Sequence, residues 1–436
     1  MRALATLLQH HQTVLLLQGP MGFFFYRFAC WLRAQGVRVL KVNFNGGDNL
    51  FYRDEDVFNY RGRLEDFPLW LERLLYEQQV DAMVCFGDCR TYHRHAAAVA
   101  KEKGKGFFAF EEGYLRPDYI TLEEDGVNAH SPLWQDTPAQ LAAHPVREPE
   151  KPLPTGNSFW KMAISAMAYY AAASLARPWF PHYRHHRDFS VLREGLVWIR
   201  SGYRKHLYRW RDRHQQDFLV QKLDQRYFLQ VLQVHNDSQV HHHSDFDDVA
   251  HFIRHVMDSF ARHAASDMHL VIKHHPLDRG YHHYGKLISS IAASTGLSGR
   301  VHYLHDVHLP TLIKHACGLV TINSTVGLQA LYHGIPCIVL GRALYDLTGL
   351  THQSGLQHFW RNPEPVSREL YLRFRATLIE KTQLNGAFYG RSHWMTAGMS
   401  QLRQLKVVNP QAGERAPLAG LSAKRPRKRA KRASIH

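Results

Sequence analysis

Short apolar runs alternate with amphipathic stretches through the first part of the chain, and each run ends in a polar or glycine-bearing cluster. The amphipathic stretch from Phe23 to Gln35 predicts a helix that ends at Gly36. The apolar runs predict strands at residues 13–17, 37–44, 80–86 and 106–110. Strands that alternate with helices favour a parallel α/β sheet, in which functional residues gather beyond the carboxyl ends of the strands.

The same pattern begins again in the second half of the chain. Its apolar runs predict strands at residues 227–234, 269–273, 301–304, 318–322 and 337–340. The run at 318–322, for example, ends at Asn323-Ser324-Thr325. Two successive α/β units of this kind predict two Rossmann-like domains that face a cleft.

The residues between the two units differ in composition. Residues 158–176 are rich in alanine and aromatic side chains, and they are shorter than the roughly 20 apolar residues that cross a bilayer. This favours a packed or interfacial helix over a membrane span. Residues 177–214 are rich in Arg, His, Trp and Tyr, so they lie on a lipid headgroup layer or form a solvated basic helix pair. The predicted organisation is an N-terminal unit at 1–150, a helical basic and aromatic segment at 151–225, a C-terminal unit with closing helices at 226–400, and a disordered basic tail at 401–436.

Charge narrows the class of partner. The 436 residues include 54 Lys and Arg against 38 Asp and Glu, a net charge of +16, with 32 histidines besides. Such a balance predicts an anionic partner, which is nucleic acid, anionic lipid or a phosphorylated substrate. A nucleic-acid binder would need aromatic platforms or a basic recognition helix, and only the 401–436 tail and the central segment are suitably basic. Five scattered cysteines give no disulfide framework or zinc motif, which favours a reducing cytosol.

Two strand ends carry acidic residues. Glu111 and Glu112 follow the strand at 106–110, where they supply a general acid or base, or form a loop salt bridge with Arg116. Asp237 follows the strand at 227–234, where it serves as a nucleophile or electrostatic stabiliser, or caps the next helix. These alternatives stay open at the level of sequence.

Two further strand ends suit an anion. Lys273-His274-His275-Pro276 offers cationic and imidazole donors that bind a phosphate and protonate it as it leaves. Adjacent side chains on a strand point to opposite faces, so His274 and His275 should not chelate one metal ion, and we expect no metal site there or at His241-His242-His243. Asn323-Ser324-Thr325 opens a helix, where it binds an anion, caps the helix, or does both. Neither a P-loop nor a dinucleotide-binding glycine motif is present.

Together these residues resemble the KpsS/LipB family of capsule polysaccharide proteins over residues 12–390. The matching stretches are Leu17-Gln-Gly-Pro-Met-Gly22, Phe44-Asn-Gly-Gly-Asp48, Cys85-Phe-Gly-Asp-Cys-Arg90, Phe110-Glu-Glu-Gly-Tyr-Leu-Arg-Pro117, Glu124-Asp-Gly-Val-Asn128, Tyr183-Arg-His-His186, Val234, Asn236-Asp-Ser238, Ile272-Lys-His-His-Pro276, Thr321-Ile-Asn-Ser-Thr325 and Gly341.

The resemblance implies a GT-B-like retaining transferase that moves β-linked Kdo (3-deoxy-D-manno-oct-2-ulosonic acid) from CMP-β-Kdo to a phosphatidylglycerol-type lipid. It implies no cofactor, since CMP-Kdo is a substrate. The implied place is the cytoplasmic side of the inner membrane, beside a KpsC-like transferase and an export transporter, with no nucleic-acid partner. A non-enzymatic export or scaffold protein is the alternative, although a scaffold has no need of buried acids beside a phosphate site.

The resemblance also implies roles for individual residues. The catalytic set would be Asp237 as nucleophile, Glu112 as general base with Glu111 as its fallback, and His275 as stabiliser of the departing phosphate. The donor and phosphate ligands would be Lys273, His274, Pro276, Asn323, Ser324 and Thr325. Further candidates for the cleft are Glu111, Arg116, Gln233, Asn236, Ser238 and Asp88. No metal ligands are expected.

Overall fold

The computed structural model describes residues 2–135, 140–141, 146, 148, 150–156, 159–185, 191–235 and 244–396. Residues Met1–Thr396 form one compact unit that contains two β-sheets. The predicted disordered tail at 401–436 lies outside the described residues.

The first sheet has the strand order expected of a Rossmann-type unit. Its seven strands run in the order β12-β6-β5-β4-β1-β2-β3, and the five from β5 to β3 are parallel. The strands are β1 Thr13–Leu16, β2 Arg38–Asn43, β3 Val57–Asn59, β4 Ala82–Phe86, β5 Gly106–Glu112, β6 Tyr119–Glu124 and β12 Gln383–Asn385. The order of connection reverses between β1 and β4, so this sheet has its topological switch point there.

The second sheet repeats this order with five parallel strands, β11-β10-β7-β8-β9. The strands are β7 Tyr227–Val231, β8 His269–Lys273, β9 Val301–Leu304, β10 Gly318–Thr321 and β11 Cys337–Val339. Its switch point lies between β7 and β10. Two Rossmann-type parallel units with helices between them confirm the predicted α/β, GT-B-like fold class.

Helices cover the sheets and connect their strands. They are α1 Arg2–His10, α2 Phe24–Ala34, α3 Gly46–Phe51, α4 Phe67–Glu77, α5 Thr91–Lys103, α6 Phe159–Leu175, α7 Val191–Lys222, α8 Val249–His263, α9 Gly285–Ser294, α10 Leu309–Lys314, α11 Val326–Tyr332, α12 Leu356–Phe359, α13 Arg368–Thr382 and α14 His393–Thr396. Strand β1 is buried along its whole length, which explains why the central strands appear in the sequence as unbroken apolar runs.

The chain returns to the first sheet near its end. After α13, strand β12 pairs antiparallel with β6, and Gln383 Nε2 donates to Thr121 Oγ1 over 2.9 Å. The residues predicted as the C-terminal unit therefore contribute a strand to the first sheet. Nothing in the order of apolar runs indicates this return, and the predicted domain boundaries remain a prediction because both sheets belong to one compact unit.

The helical segment between the sheets contains α6 and α7. Among the described residues, no helix combines the length and the apolar character needed to cross a bilayer. Helix α6 lies against α3, where two glycines permit a close approach. A Cβ atom on Gly47 would lie 2.6 Å from the ring of Tyr169, and one on Gly46 would meet the Ala172 carbonyl and Ala176.

We therefore expect Gly47→Ala to lower the free energy of unfolding by about 1–3 kcal/mol, because the added methyl group overpacks a contact between two helices. The Tyr169 ring cannot move away cheaply, since its hydroxyl is held by three hydrogen bonds. Chemical denaturation measures the change.

Gly202→Ala is the matched control, because Gly202 lies in α7 and a Cβ atom added there would have no heavy atom within 4 Å. It should be neutral or stabilising by up to about 1 kcal/mol. Equal effects of the two substitutions would contradict the packing argument.

Candidate functional site

The carboxyl edge of the first sheet carries a buried polar network around Asp48. Its carboxylate accepts hydrogen bonds from the Tyr169 hydroxyl over 2.9 Å, the Phe44 amide over 2.9 Å and Gln18 Nε2 over 3.2 Å. Gln18 Nε2 also lies 3.1 Å from the hydroxyl of Tyr183. Gln18 follows β1, and both tyrosines belong to the helical segment. That segment therefore contributes side chains to this edge of the sheet.

Arg90 links this network to the acidic residues at the end of β5. Its Nη1 donates to Gln18 Oε1 over 3.1 Å, and its guanidinium lies 5.0 Å from the centre of the Phe86 ring. Because Arg90 follows β4 and Gln18 follows β1, the arginine lies at the switch point of the first sheet. Ligands of open α/β sheets bind at such positions.

Glu111 and Glu112 are the last two residues of β5, so their side chains point to opposite faces of the sheet. Burial raises the pKa of Glu111 to about 7; the amide of Glu112, at 3.0 Å, and the nearby Arg90 oppose that rise. Glu112 lies near Tyr389, whose pKa is raised to about 12 by burial and then by the charge of Glu112. Arg116 Nε donates to the Gly113 carbonyl over 3.3 Å, and among the described ion pairs none joins Arg116 to either glutamate.

Two further buried carboxylates are Asp88, which follows β4, and Glu123, which lies in β6. Asp88 Oδ2 accepts from the Val127 amide over 3.1 Å and lies 2.9 Å from His130 Nδ1. Glu123 accepts from the Tyr114 hydroxyl over 2.7 Å, and burial raises its pKa to about 7. These contacts fix the loop after β6 against the ends of β4 and β5.

At the second sheet, two predicted cleft residues meet at the switch point. Gln233 Nε2 donates to Asn323 Oδ1 over 3.0 Å, and the Asn323 amide donates back to Gln233 Oε1 over 3.3 Å. Gln233 follows β7 and Asn323 follows β10. Ser324 Oγ accepts from the Val326 amide over 3.3 Å, whereas the Thr325 side chain makes no cap hydrogen bond to α11. The serine therefore both caps a turn and lies at the predicted anion site.

Two side chains of the cationic cluster at the end of β8, Lys273 and His274, are buried, which the sequence does not indicate. The ammonium of Lys273 donates to the backbone carbonyls of His274 and His305 over 3.0 and 2.5 Å, and burial lowers its pKa to about 8. Burial also lowers the pKa of His274 to about 2, so this ring is neutral beside the Tyr303 hydroxyl at 2.8 Å. Both side chains hold the loop in place.

His275 and Pro276 lie at the surface of the same loop. His275 Nδ1 accepts from the Leu277 amide over 3.2 Å and caps the 3₁₀ turn Pro276–Asp278. The ring of His275 stays partly exposed and Pro276 is exposed. His275 is therefore the member of the predicted donor set at this strand end that a phosphate reaches most directly.

The predicted nucleophile Asp237, with Asn236 and Ser238, lies outside the described residues, as does the run His241-His242-His243. The roles of these residues therefore remain predictions. Sequence reasoning assigned no role to Gln18, Asp48, Arg90, Tyr169 or Tyr183, which the structure brings together. All except Tyr169 lie in stretches that match the family. The resemblance therefore pointed to these residues, but it gave them no chemical role.

The fold and the two polar edges define an α/β protein with a cluster of polar side chains at the switch point of each Rossmann-type sheet. Residues 81–389 match a family described as capsule polysaccharide biosynthesis protein. The chain belongs to this family, and within it to the KpsS/LipB group.

Two curated relatives support this assignment. The capsule polysaccharide export protein KpsS of Escherichia coli is 45% identical over 386 residues, which cover 88% of this chain and 98% of the relative. The capsule polysaccharide modification protein LipB of Neisseria meningitidis serogroup A is 42% identical over 399 residues, covering 89% and 94%.

Two solved structures are similar more distantly. The β-Kdo 2,7-transferase KpsC of Thermosulfurimonas dismutans aligns at 12% identity with a TM-score of 0.37, covering 82% of this chain and 88% of that one. HepE of Anabaena in complex with UDP-glucose aligns at 12% identity with a TM-score of 0.33, covering 92% and 100%. The fold described above rests on the strand order of this chain.

The raised pKa of Glu111 generates a prediction about stability. The pKa rises from an ordinary 4.5 to about 7 on folding, so the folded state is penalised progressively as the pH rises through this window and fully above it. Glu111→Gln removes the penalty. We expect its stability relative to wild type to increase by about 1–3 kcal/mol between pH 4.5 and 7.5, since partial exposure of the side chain lessens the effect.

Denaturant unfolding at several pH values measures this difference. Glu77→Gln is the control, because Glu77 is exposed on α4. This substitution makes the same chemical change at an exposed position, so it should change the free energy of unfolding by less than about 0.5 kcal/mol. A difference for Glu111→Gln that stays flat with pH would show that Glu111 titrates normally in the folded protein.

Proposed function

We propose that this chain is a retaining glycosyltransferase that moves β-linked Kdo from CMP-β-Kdo to a phosphatidylglycerol-type lipid at the start of a capsule polysaccharide linker. The observation that carries the proposal is Glu111, a carboxyl with a pKa of about 7 beside Arg90 at the switch point of the first sheet. Catalytic acids and bases need a pKa near the working pH, whereas a scaffold has no use for such a group.

In this proposal the second sheet binds the donor. The phosphate of CMP would be bound by His275 and by Ser324 and Thr325 near the Gln233–Asn323 pair. The loop that carries His275 is held by Lys273 through two carbonyls. His275 stabilises the leaving phosphate, because an imidazole can donate a hydrogen bond or a proton to it.

Retention at the ketosidic carbon follows from two inversions. The Asp237 carboxylate attacks that carbon and displaces CMP, which departs with its phosphate. The lipid hydroxyl then attacks the same carbon, gives its proton to a glutamate, and releases Asp237. Glu111 fits the role of this base better than Glu112 because its raised pKa lets it hold and release a proton near neutral pH.

A transfer assay tests the proposal. Purified protein, a CMP-Kdo-generating system and a fluorescent phosphatidylglycerol should yield a lipid heavier by one or more Kdo units in mass spectrometry. Asp237→Asn should abolish transfer with folding and CMP binding retained, since Asn caps a helix about as well as Asp. Glu111→Gln should slow transfer by about 10²–10⁴-fold, and Glu77→Gln should have no effect.

The E. coli relative is named an export protein, which favours the alternative of a non-enzymatic scaffold. Absence of any Kdo-lipid with folded, CMP-binding wild-type protein would support that alternative. Near-normal turnover by Asp237→Asn would remove the proposed nucleophile but leave a transferase. In either function the partners are other capsule-assembly proteins, namely a KpsC-like transferase and an export transporter, rather than nucleic acid.

The acceptor lipid requires contact with a membrane, and α7 presents a surface suited to it. Apolar side chains recur every three or four residues along its exposed side: Leu196, Ile199, Tyr203, Leu207 and Trp210. Arg200 and Arg209 are exposed between them, and Arg213 is exposed just after Trp210. An apolar stripe flanked by cations is typical of helices that lie in the interface of an anionic bilayer. We therefore propose that the protein binds peripherally to the cytoplasmic side of the inner membrane.

Liposome flotation tests this surface. Wild-type protein should float with phosphatidylglycerol-containing vesicles more than with neutral ones, and added salt should weaken the binding. Ile199→Glu should reduce flotation, because it places a negative charge in the stripe. Tyr76→Glu on α4, another exposed position, is the control. Equal flotation of both variants would exclude α7 as the contact surface.

A further inference from the structure

Three potential metal ligands converge beside the carboxyl edge of the second sheet. They are His235, which follows β7, and Asp278 and His282, which follow β8. His235 Nδ1 lies 2.5 Å and His282 Nδ1 lies 3.8 Å from the same oxygen of Asp278, Oδ1. One ligand atom from each residue lies within 4.8 Å of the other two.

The backbone places these side chains before any ion binds. The amide of Asp278 donates to the His275 carbonyl over 3.0 Å, and the amide of His282 donates to the Asp278 carbonyl over 3.1 Å. Residues four apart in such a helical turn project to the same side. His235 reaches them because β7 and β8 are parallel neighbours, with Val231 opposite Lys273.

The second oxygen of Asp278 is left without a partner. The Asp278 side chain is fully buried, yet Oδ2 has no hydrogen bond within the part of the chain that the structure describes. An unsatisfied buried carboxylate oxygen is costly, so such groups call for an explanation. A cation that contacts both oxygens of this carboxylate would remove the cost at Oδ2.

We propose that His235, Asp278 and His282 form a zinc site. Two imidazoles and one carboxylate suit Zn²⁺, whereas Mg²⁺ and Ca²⁺ prefer oxygen ligands. Ligand atoms about 2.0–2.2 Å from a tetrahedral zinc ion lie about 3.3–3.6 Å apart. The observed 2.5 and 3.8 Å bracket this separation, so small side-chain movements complete the geometry. This departs from the expectation of no metal ligands.

Three protein ligands leave a coordination position open for water or a phosphoryl oxygen. No sequence motif indicates this set, because His235 is separated from Asp278 by 43 residues and no ligand spacing joins them. The site stands independently of the proposed transferase activity, and its test uses no sugar substrate.

The experiment counts tight zinc equivalents on full-length protein that has been stripped with a chelator and dialysed. Isothermal titration with Zn²⁺ gives the count, and Co²⁺ titration gives a visible spectrum that reports the ligand geometry. The wild type should bind one tight equivalent of Zn²⁺ more than His282→Ala. The tetrahedral Co²⁺ spectrum of the wild type should be absent from that variant. Zinc should also raise the unfolding midpoint of the wild type more than that of the variant.

His315→Ala is the matched control. His315 Nδ1 pairs with Asp224 over 2.7 Å, and this pair belongs to none of the ligand groups found among the described residues. The control should keep the tight equivalent, which separates the site from weak binding by the many other histidines. Equal tight binding by wild type and His282→Ala would overturn the proposal. If His282→Ala does not fold, His235→Ala replaces it, because both rings are partly exposed.

Discussion

The buried carboxylate of Asp48 is the interaction on which the site at the first sheet depends. It joins the end of β1 through Gln18, the turn after β2 through the Phe44 amide, and α6 through Tyr169. A carboxylate without these donors could not remain buried, because desolvating an unpaired charge is costly. The helical segment is therefore held against the sheet by hydrogen bonds as well as by the close glycine contacts, and it completes the site in the process.

Each sheet gathers its functional groups at the point where the strand order reverses. At the first sheet, Arg90 connects Gln18 with the environment of Glu111. At the second, Gln233 and Asn323 close the gap between β7 and β10 by a pair of hydrogen bonds. Loops diverge to opposite sides of the sheet at such points, and the opening between them admits a ligand. The repeated strand order thus provides one switch point in each sheet.

Burial has different effects on the charged groups of the two sheets. It raises the pKa of Glu111 towards neutrality, which suits a proton acceptor. It lowers the pKa of Lys273 and keeps His274 neutral, so these two side chains serve the loop and His275 remains the accessible donor. The same desolvation therefore raises the pKa of one acid towards neutrality and lowers the pKa of two bases.

The apolar runs of the sequence determined the α/β class, the two parallel units and the strand ends where polar residues gather, because hydrophobic periodicity is a local property. They also indicated Glu111, Gln233 and Asn323 as candidates. Only the tertiary structure decided that β12 joins the first sheet, that Tyr169 completes the Asp48 network, and that His235 meets Asp278. Each of these contacts joins residues 43 or more positions apart, so packing and desolvation, which depend on the folded chain, established them.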